Sequence, residues 1–168
     1  MINIQDYAKQ AKQTTSQARQ AYENAKQKLI EQINNINSKY LDTLINNPLK
    51  DTITKYYNCD PQFKPDDYIE CYIATQTLFN TYKTATDYNE LNRSDPNPLN
   101  TYIKAEADLN NHPENFDSAK LFVLNQISKR LINYVHSQDP DLIIKPHYSK
   151  YPQIQVQVDV QYPVSKLP

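Results

Sequence analysis

The side chains that most often carry catalysis or bind metals are few in this chain. Its 168 residues include three histidines and two cysteines. His136, Asp139 and Asp141 have a spacing that would bring an imidazole near two carboxylates, as a metal site needs. However, Asp139-Pro140-Asp141 is also a typical end of a helix, and the helix dipole favours a histidine in the last turn. The spacing therefore predicts a helix end and no metal site.

The two cysteines, Cys59 and Cys71, are too far apart for a CxxC motif. Cys59 is predicted to lie in a loop with no neighbouring cation to activate it. Cys71 is predicted to lie within a helix as a small core residue. We expect both thiols to be reduced, with one disulfide between them as the alternative. The sequence thus predicts no catalytic residue and no cofactor, with a small enzyme of unfamiliar site kept as an alternative.

The chain contains no glycine, although it has 11 prolines. Glycine lets the backbone turn through positive φ and approach a ligand closely. Walker A loops, dinucleotide-binding loops and nucleophile elbows depend on it. Its absence excludes these sites in their standard form and predicts chain reversals built from Pro, Asn and Asp.

The charges are unevenly distributed along the chain. The net charge is −1, and residues 1–28 hold five cations against two acids, a net of +3, so the other residues carry −4. The five cations, which are the candidates for contact with phosphates, are Lys9, Lys12, Arg19, Lys26 and Lys28. Lys12 and Arg19 share a helix face, but the five do not form one stripe. They predict at most weak nucleic-acid binding.

Residues 4–46 are predicted to form one long helix, because apolar or small residues recur at steps of three and four. These residues are Ile4, Ala8, Ala11, Thr15, Ala18, Tyr22, Ala25, Leu29, Ile33, Ile36, Tyr40 and Leu44. Asn46, Asn47 and Pro48 are expected to end the helix. At 1.5 Å per residue it would be about 65 Å long. Part of it should therefore project from a domain of this size.

The first half of this helix has small residues where the second half has bulky ones. Ala8, Ala11, Ala18, Tyr22 and Ala25 are the candidate docking face for a partner helix, as in a coiled coil. Alanine favours the helix but offers little burial energy. A solvated helix formed by propensity alone is therefore the alternative, and a membrane or nucleic-acid face is a further one.

The rest of the chain predicts a helical body followed by an extended tail. Residues 48–65 are interpreted as a connector with a short helix at Asp51–Tyr57. Three further helices are predicted at Asp66 to about Asn92, Pro98 to about Asn110 with Asn97 as cap, and Asp117 to about Ser137. The fold class is mainly α, a bundle of about four helices with a long projecting N-terminal helix and a small C-terminal β element. The predicted divisions are residues 1–47, 48–140 and 141–168.

The tail is predicted to contain strands. Leu142–Lys145 is a candidate short strand, and residues 153–162 alternate apolar and polar side chains, as a half-buried strand does. The apolar face of the longer strand comprises Ile154, Val156, Val158, Val160 and Tyr162. A strand without a partner leaves unsatisfied backbone groups. Pairing with another chain is one hypothesis, and a small internal hairpin packed on the helices is the other.

These features favour a non-catalytic structural or interaction subunit of a larger assembly, docked through its long helix and its C-terminal strand. The alternative is a virion or nucleic-acid-packaging protein that contacts phosphates through the basic N-terminal helix. No run of 18 apolar residues is present, so no transmembrane helix is predicted. The reduced cysteines and the lack of an apolar signal region lead us to expect an intracellular location.

Overall fold

The computed structural model describes residues 2–58, 67–90, 97–149 and 155–168. These residues form five α-helices and three β-strands. The elements are α1 (Ile4–Asn34), α2 (Ser38–Asn58), β1 (Tyr68–Ile73), α3 (Thr75–Glu90), α4 (Pro98–Asn110), α5 (Phe116–Gln138), β2 (Ile143–Ser149) and β3 (Gln155–Pro163), followed by a 3-10 turn at Val164–Lys166. The fold is mainly α with a long first helix and a small antiparallel sheet, as predicted.

The helix predicted over residues 4–46 is in fact two helices. The Asn35 N–H donates to the Glu31 carbonyl at 3.0 Å as α1 ends. The Asn37 side chain accepts from the Lys39 N–H at 2.9 Å as α2 begins. Asparagine side chains compete for backbone hydrogen bonds and so favour helix ends. The apolar spacing runs through this junction, because Ile36 is itself buried there.

Pro48 lies inside α2 and does not end a helix, which corrects the prediction for residues 46–48. A proline inside a helix removes one backbone donor, here the one that would pair with the Leu44 carbonyl. The helix continues because α2 buries Leu41, Leu44 and Ile45 and packs along β1. The predicted connector is therefore helical as far as Asn58, and the rest of it, with Cys59, lies outside the described residues.

The helix predicted to begin at Asp66 begins with a strand instead. In β1 the residues Ile69, Cys71 and Ile73 are buried while those between them are exposed. This period of two is typical of a strand with one face in the core. Because Ile69 and Ile73 are four residues apart, they also fitted a helical stripe. Helix α3 supplies the remainder of the predicted element, and Asn92 lies outside the described residues.

The sheet has the order β1-β3-β2, so β3 is its central strand. Val160 of β3 lies between Cys71 of β1 and Ile144 of β2, and both pairings are antiparallel. Val156, Val158 and Val160 are fully buried on the face that packs against α5. The hypothesis of a partner strand added to β3 is wrong, because neighbours within the chain occupy both of its edges. Of the remaining predicted residues, Tyr162 is half-buried and Ile154 lies outside the described residues.

Helix α4 begins where its capping signal predicted, and α5 lies within one residue of its predicted bounds. The Asn97 side chain accepts from the Leu99 N–H at 2.9 Å, and that of Asn115 accepts from the Ser118 N–H at 3.1 Å. Helix α4 ends on Asn111, whose φ of 53° is in the left-handed region. Glycine usually occupies this position, and asparagine tolerates it better than most other residues. A chain without glycine therefore ends α4 with an amide residue.

Candidate interaction surface

Helix α1 is covered by the rest of the protein along only part of its length. Residues 2–17 are exposed, and burial begins at Ala25 and continues at Leu29 and Ile33, where α1 packs against α4 and α5. We call residues 4–17 the outer segment and residues 25–34 the packed segment. At 1.5 Å per residue the outer segment is about 20 Å long. It presents side chains in every direction around the helix.

The outer segment begins with a reciprocal cap. The Asn3 side-chain oxygen accepts from the Asp6 N–H at 3.1 Å, and the Asn3 amide nitrogen donates to the Asp6 carboxylate at 2.7 Å. This cap satisfies an N–H that no helical carbonyl can reach. The Asp6 charge also complements the positive end of the helix dipole. The cap therefore fixes where the helix begins, although none of the other described elements covers this turn.

The five residues of the predicted docking face are divided between the surface and the core. Ala8 and Ala11 are exposed, Ala18 and Tyr22 are half-buried, and Ala25 is buried. Exposed large side chains extend the face, since Ile4 is 72% and Tyr7 61% exposed. Tyr7 is not among the residues predicted for this face. Its position three residues after Ile4 was the available signal.

An aromatic cluster marks the place where α1 enters the body. The Tyr22 ring lies 5.7 Å from the Tyr102 ring of α4, and Tyr102 stacks on Phe122 of α5 at 5.0 Å between centroids. Burial raises the pKa of the Tyr102 hydroxyl above its usual range, and hydrogen bonding with Tyr22 and Glu106 adds to the shift. This cluster fixes the direction in which the outer segment leaves the body.

The five predicted phosphate-binding cations occupy different environments. Lys9, Lys12 and Arg19 are exposed, as is Lys28. The Lys26 ammonium lies 6.0 Å from the ring centroids of both Tyr22 and Phe122, a cation–π arrangement. Lys26 therefore has a role in covering the aromatic cluster. The cations on or beside the outer segment remain available to a partner.

The candidate metal ligands at the end of α5 lie in and just after its last turn. His136 is exposed in the last turn of the helix. The Asp139 carboxylate accepts from the Asp141 N–H at 2.9 Å, which stabilises the turn. Across residues 2–58, 67–90, 97–149 and 155–168, no group of three His, Cys, Asp or Glu side chains is arranged to hold a metal ion.

The described cysteine is protected from solvent. Cys71 is 8% exposed in β1 and not in a helix, and burial raises the pKa of its thiol. A thiolate nucleophile is therefore disfavoured at this position.

On the solvent face of the sheet, His147 Nδ1 lies 3.4 Å from the Asp159 carboxylate. This pair links β2 to β3. It could not be predicted from the sequence, because it depends on the register in which the two strands pair.

A groove of about 530 Å³ separates α2 from α3 above β1. We call it the α2–α3 groove. Its lining includes Thr43, Leu44, Pro48, Tyr72, Thr77 and Thr81. None of the described side chains that line it is charged. The groove brings together elements that are distant in sequence, so no local pattern predicted it.

The chain matches no protein-family model, and no curated protein or solved structure is significantly similar to it. None of the helices in the described part of the chain is long and apolar enough to cross a membrane.

Proposed function

We propose that the protein is a non-catalytic interaction subunit that binds a protein partner through the outer segment of α1. The observation that carries this proposal is an ordered, capped helix whose residues 4–17 are exposed all round. A helix this short is marginal in water by itself. Its continuity with the packed segment supports it in a rigid position outside the body.

The side chains of the outer segment suit contact with another helix or a groove. Ile4, Ala8, Ala11 and Thr15 follow the alternating four- and three-residue steps of a heptad. Alanines allow a partner backbone to approach closely, while the exposed Ile4 and Tyr7 offer apolar area. Exposed apolar residues grouped on one face are typical of a protein-binding surface.

The test compares two double variants of matched charge. Ala8→Glu/Ala11→Glu places two carboxylates on the proposed face, and Gln10→Glu/Gln13→Glu places two on the opposite, also exposed side of the same helix. All four positions are exposed, so each unfolding free energy should stay within about 0.5 kcal/mol of wild type. Light scattering over a wide concentration range then measures assembly.

We expect wild type and the Gln10→Glu/Gln13→Glu variant to assemble as concentration rises. The Ala8→Glu/Ala11→Glu variant should stay monomeric, because two charges would have to lose water on the contact face. A wild-type chain that remains monomeric at every concentration and also retains no protein partner through this segment would reject the proposal. Equal assembly by the two variants would also reject it.

Nucleic-acid binding is the second candidate, favoured by the exposure of Lys9, Lys12 and Arg19 on a helix that leaves the body. Three phosphate contacts would give a slope of log affinity against log salt of about −3 on duplex DNA. Filter retention of duplex and single-stranded DNA at low salt measures it, with Lys9→Gln/Lys12→Gln/Arg19→Gln as the variant. Absence of retention by wild type would exclude this function.

A further inference from the structure

The α2–α3 groove has mostly apolar walls, although threonines and the amides of Asn47 and Asn80 also line it. Thr43 donates its hydroxyl to the Lys39 carbonyl at 2.9 Å, and Thr81 donates to the Thr77 carbonyl at 3.1 Å. Because these hydroxyls bond within their own helices, their methyl groups are left for an occupant to contact. The walls therefore suit apolar side chains rather than charged ones.

The groove and the outer segment match in length and in spacing. Thr77, Thr81 and Thr84 line the groove at positions i, i+4 and i+7 of α3. Their backbone span is about 10 Å at 1.5 Å per residue. Ile4, Tyr7, Ala8 and Ala11 are spaced at i, i+3, i+4 and i+7, as in helices that bind apolar grooves. A wall of this length can accommodate the two helical turns from Ile4 to Ala11.

The charge distribution favours contact between the outer segment and the body of a second copy. The outer segment, with Asp6, Lys9 and Lys12, carries +1, residues 18–28 carry +2, and residues 29–168 carry −4. Packing two outer segments together would place the like charges of Lys12 from both copies at one interface. Packing an outer segment on a body brings opposite net charges together and so favours association.

We propose that the partner of the outer segment is a second copy of this chain, with Ile4, Tyr7, Ala8 and Ala11 of one copy seated in the α2–α3 groove of the next. This inference rests on the proposed function and names its partner. The two contacting surfaces differ, so the contact is heterologous and each copy keeps one unused helix and one unused groove. Assemblies should therefore grow with concentration as chains or rings.

The groove is tested with a matched pair of threonine variants on α2. Thr43→Glu introduces a charge into the groove. Thr54→Glu is the control, because Thr54 is also exposed and also donates its hydroxyl within the helix, to Lys50 at 2.8 Å. Thr54 is not among the groove-lining residues. We expect Thr43→Glu to weaken self-association at least tenfold and Thr54→Glu to leave it unchanged.

Mixing two defective variants provides the decisive experiment. Ala8→Glu/Ala11→Glu retains an intact groove, and Thr43→Glu retains an intact outer segment. Each variant alone should be monomeric by light scattering. An equimolar mixture should form a 1:1 dimer that does not grow further, because the pair holds one working helix and one working groove. Pairing of two outer segments predicts no such rescue.

The outcomes separate this inference from the proposed function. If Thr43→Glu assembles like wild type, or if the mixture stays monomeric, the groove contact is wrong. The proposed function survives that result as long as Ala8→Glu/Ala11→Glu alone abolishes assembly. Thr77→Glu, on the other wall, replaces Thr43→Glu if urea unfolding shows that the latter lowers stability.

Discussion

The outer and packed segments of α1 share one helical stripe but differ in what the stripe does. In the packed segment Leu29 and Ile33 have no exposed surface. In the outer segment Ala8 and Ala11 continue the same spacing and are exposed. Fully burying a Leu or Ile contributes about 1.5–3 kcal/mol, while an alanine offers far less. Side-chain size, more than spacing, therefore decides which part of the helix joins the core.

The transition between the two segments is gradual. Ala18 and Tyr22 are half-buried, and Tyr22 contacts Tyr102 of α4 at the edge of the body. Beyond this point the outer segment has only its cap and its helix propensity to hold it. Folding energy should thus be concentrated in the packed segment, and the outer segment should be open to change without loss of the fold.

The largest effect is expected from truncating the centre of the packed segment. Leu29→Ala should lower the free energy of unfolding by about 3 kcal/mol, because it leaves a cavity where no surface is exposed. Urea unfolding measures the change. Ile30→Ala, at a half-buried neighbouring position, is the control and should cost less. A loss below about 1 kcal/mol for Leu29→Ala would show that the packed segment does not anchor the fold.

Alkaline pH should weaken the aromatic cluster at the transition. The folded-state pKa of Tyr102 is raised by burial, so its stabilising contribution is complete below the unfolded pKa of about 10. This contribution is lost as pH rises from there toward the folded pKa. Over this range the free energy of unfolding should fall by up to about 1.4 kcal/mol per pH unit.

Tyr102→Phe isolates this contribution, because other groups titrate equally in both proteins. The difference in unfolding free energy between wild type and variant should be constant below about pH 9. Above about pH 10 the wild type should lose stability relative to the variant. Urea unfolding at several pH values measures it. Parallel curves for the two proteins would contradict a buried, neutral Tyr102.

A smaller effect is expected at Asn111, which ends the helix that covers the packed segment. Asn111→Ala should cost about 1 kcal/mol, because a Cβ without a polar group is disfavoured at a φ of 53°. Asn111→Gly should be close to neutral, since glycine adopts this conformation freely but adds entropy to the unfolded chain. Thermal unfolding of both variants measures the difference. Equal stabilities would show that φ at this position is not positive.

Elements with complete local signals could be predicted from the sequence. Asn97 and Pro98 gave α4 both a cap and a first residue, and the helix begins there. The strict alternation around Val158 predicted β3. Spacings that fit both a helix and a strand led to a wrong prediction. Ile69 and Ile73, four residues apart, are an example. The break after Asn34 and the continuation through Pro48 depend on capping and on packing against β1, which apolar spacing does not report.

The candidate surface was only partly predictable for the same reason. The stripe of apolar and small residues was recognisable from its spacing, but its division at Ala18 depends on how far α4 and α5 reach along α1. The α2–α3 groove needs Pro48, Tyr72 and Thr81 to meet in space. Contacts between residues so far apart in the sequence cannot be predicted from the local spacing of apolar residues.

Ile4→Ala should have the smallest effect on folding and should separate folding from assembly. Ile4 is 72% exposed, so the unfolding free energy at low concentration should change by less than about 0.5 kcal/mol. Self-association should nevertheless weaken, because Ile4 is the largest aliphatic anchor of the outer segment. Gln5→Ala, exposed beside it, is the control and should alter neither property. A loss of stability above about 1 kcal/mol would mean that Ile4 is buried within its own chain. In that case the contrast between the two segments of α1 would not hold.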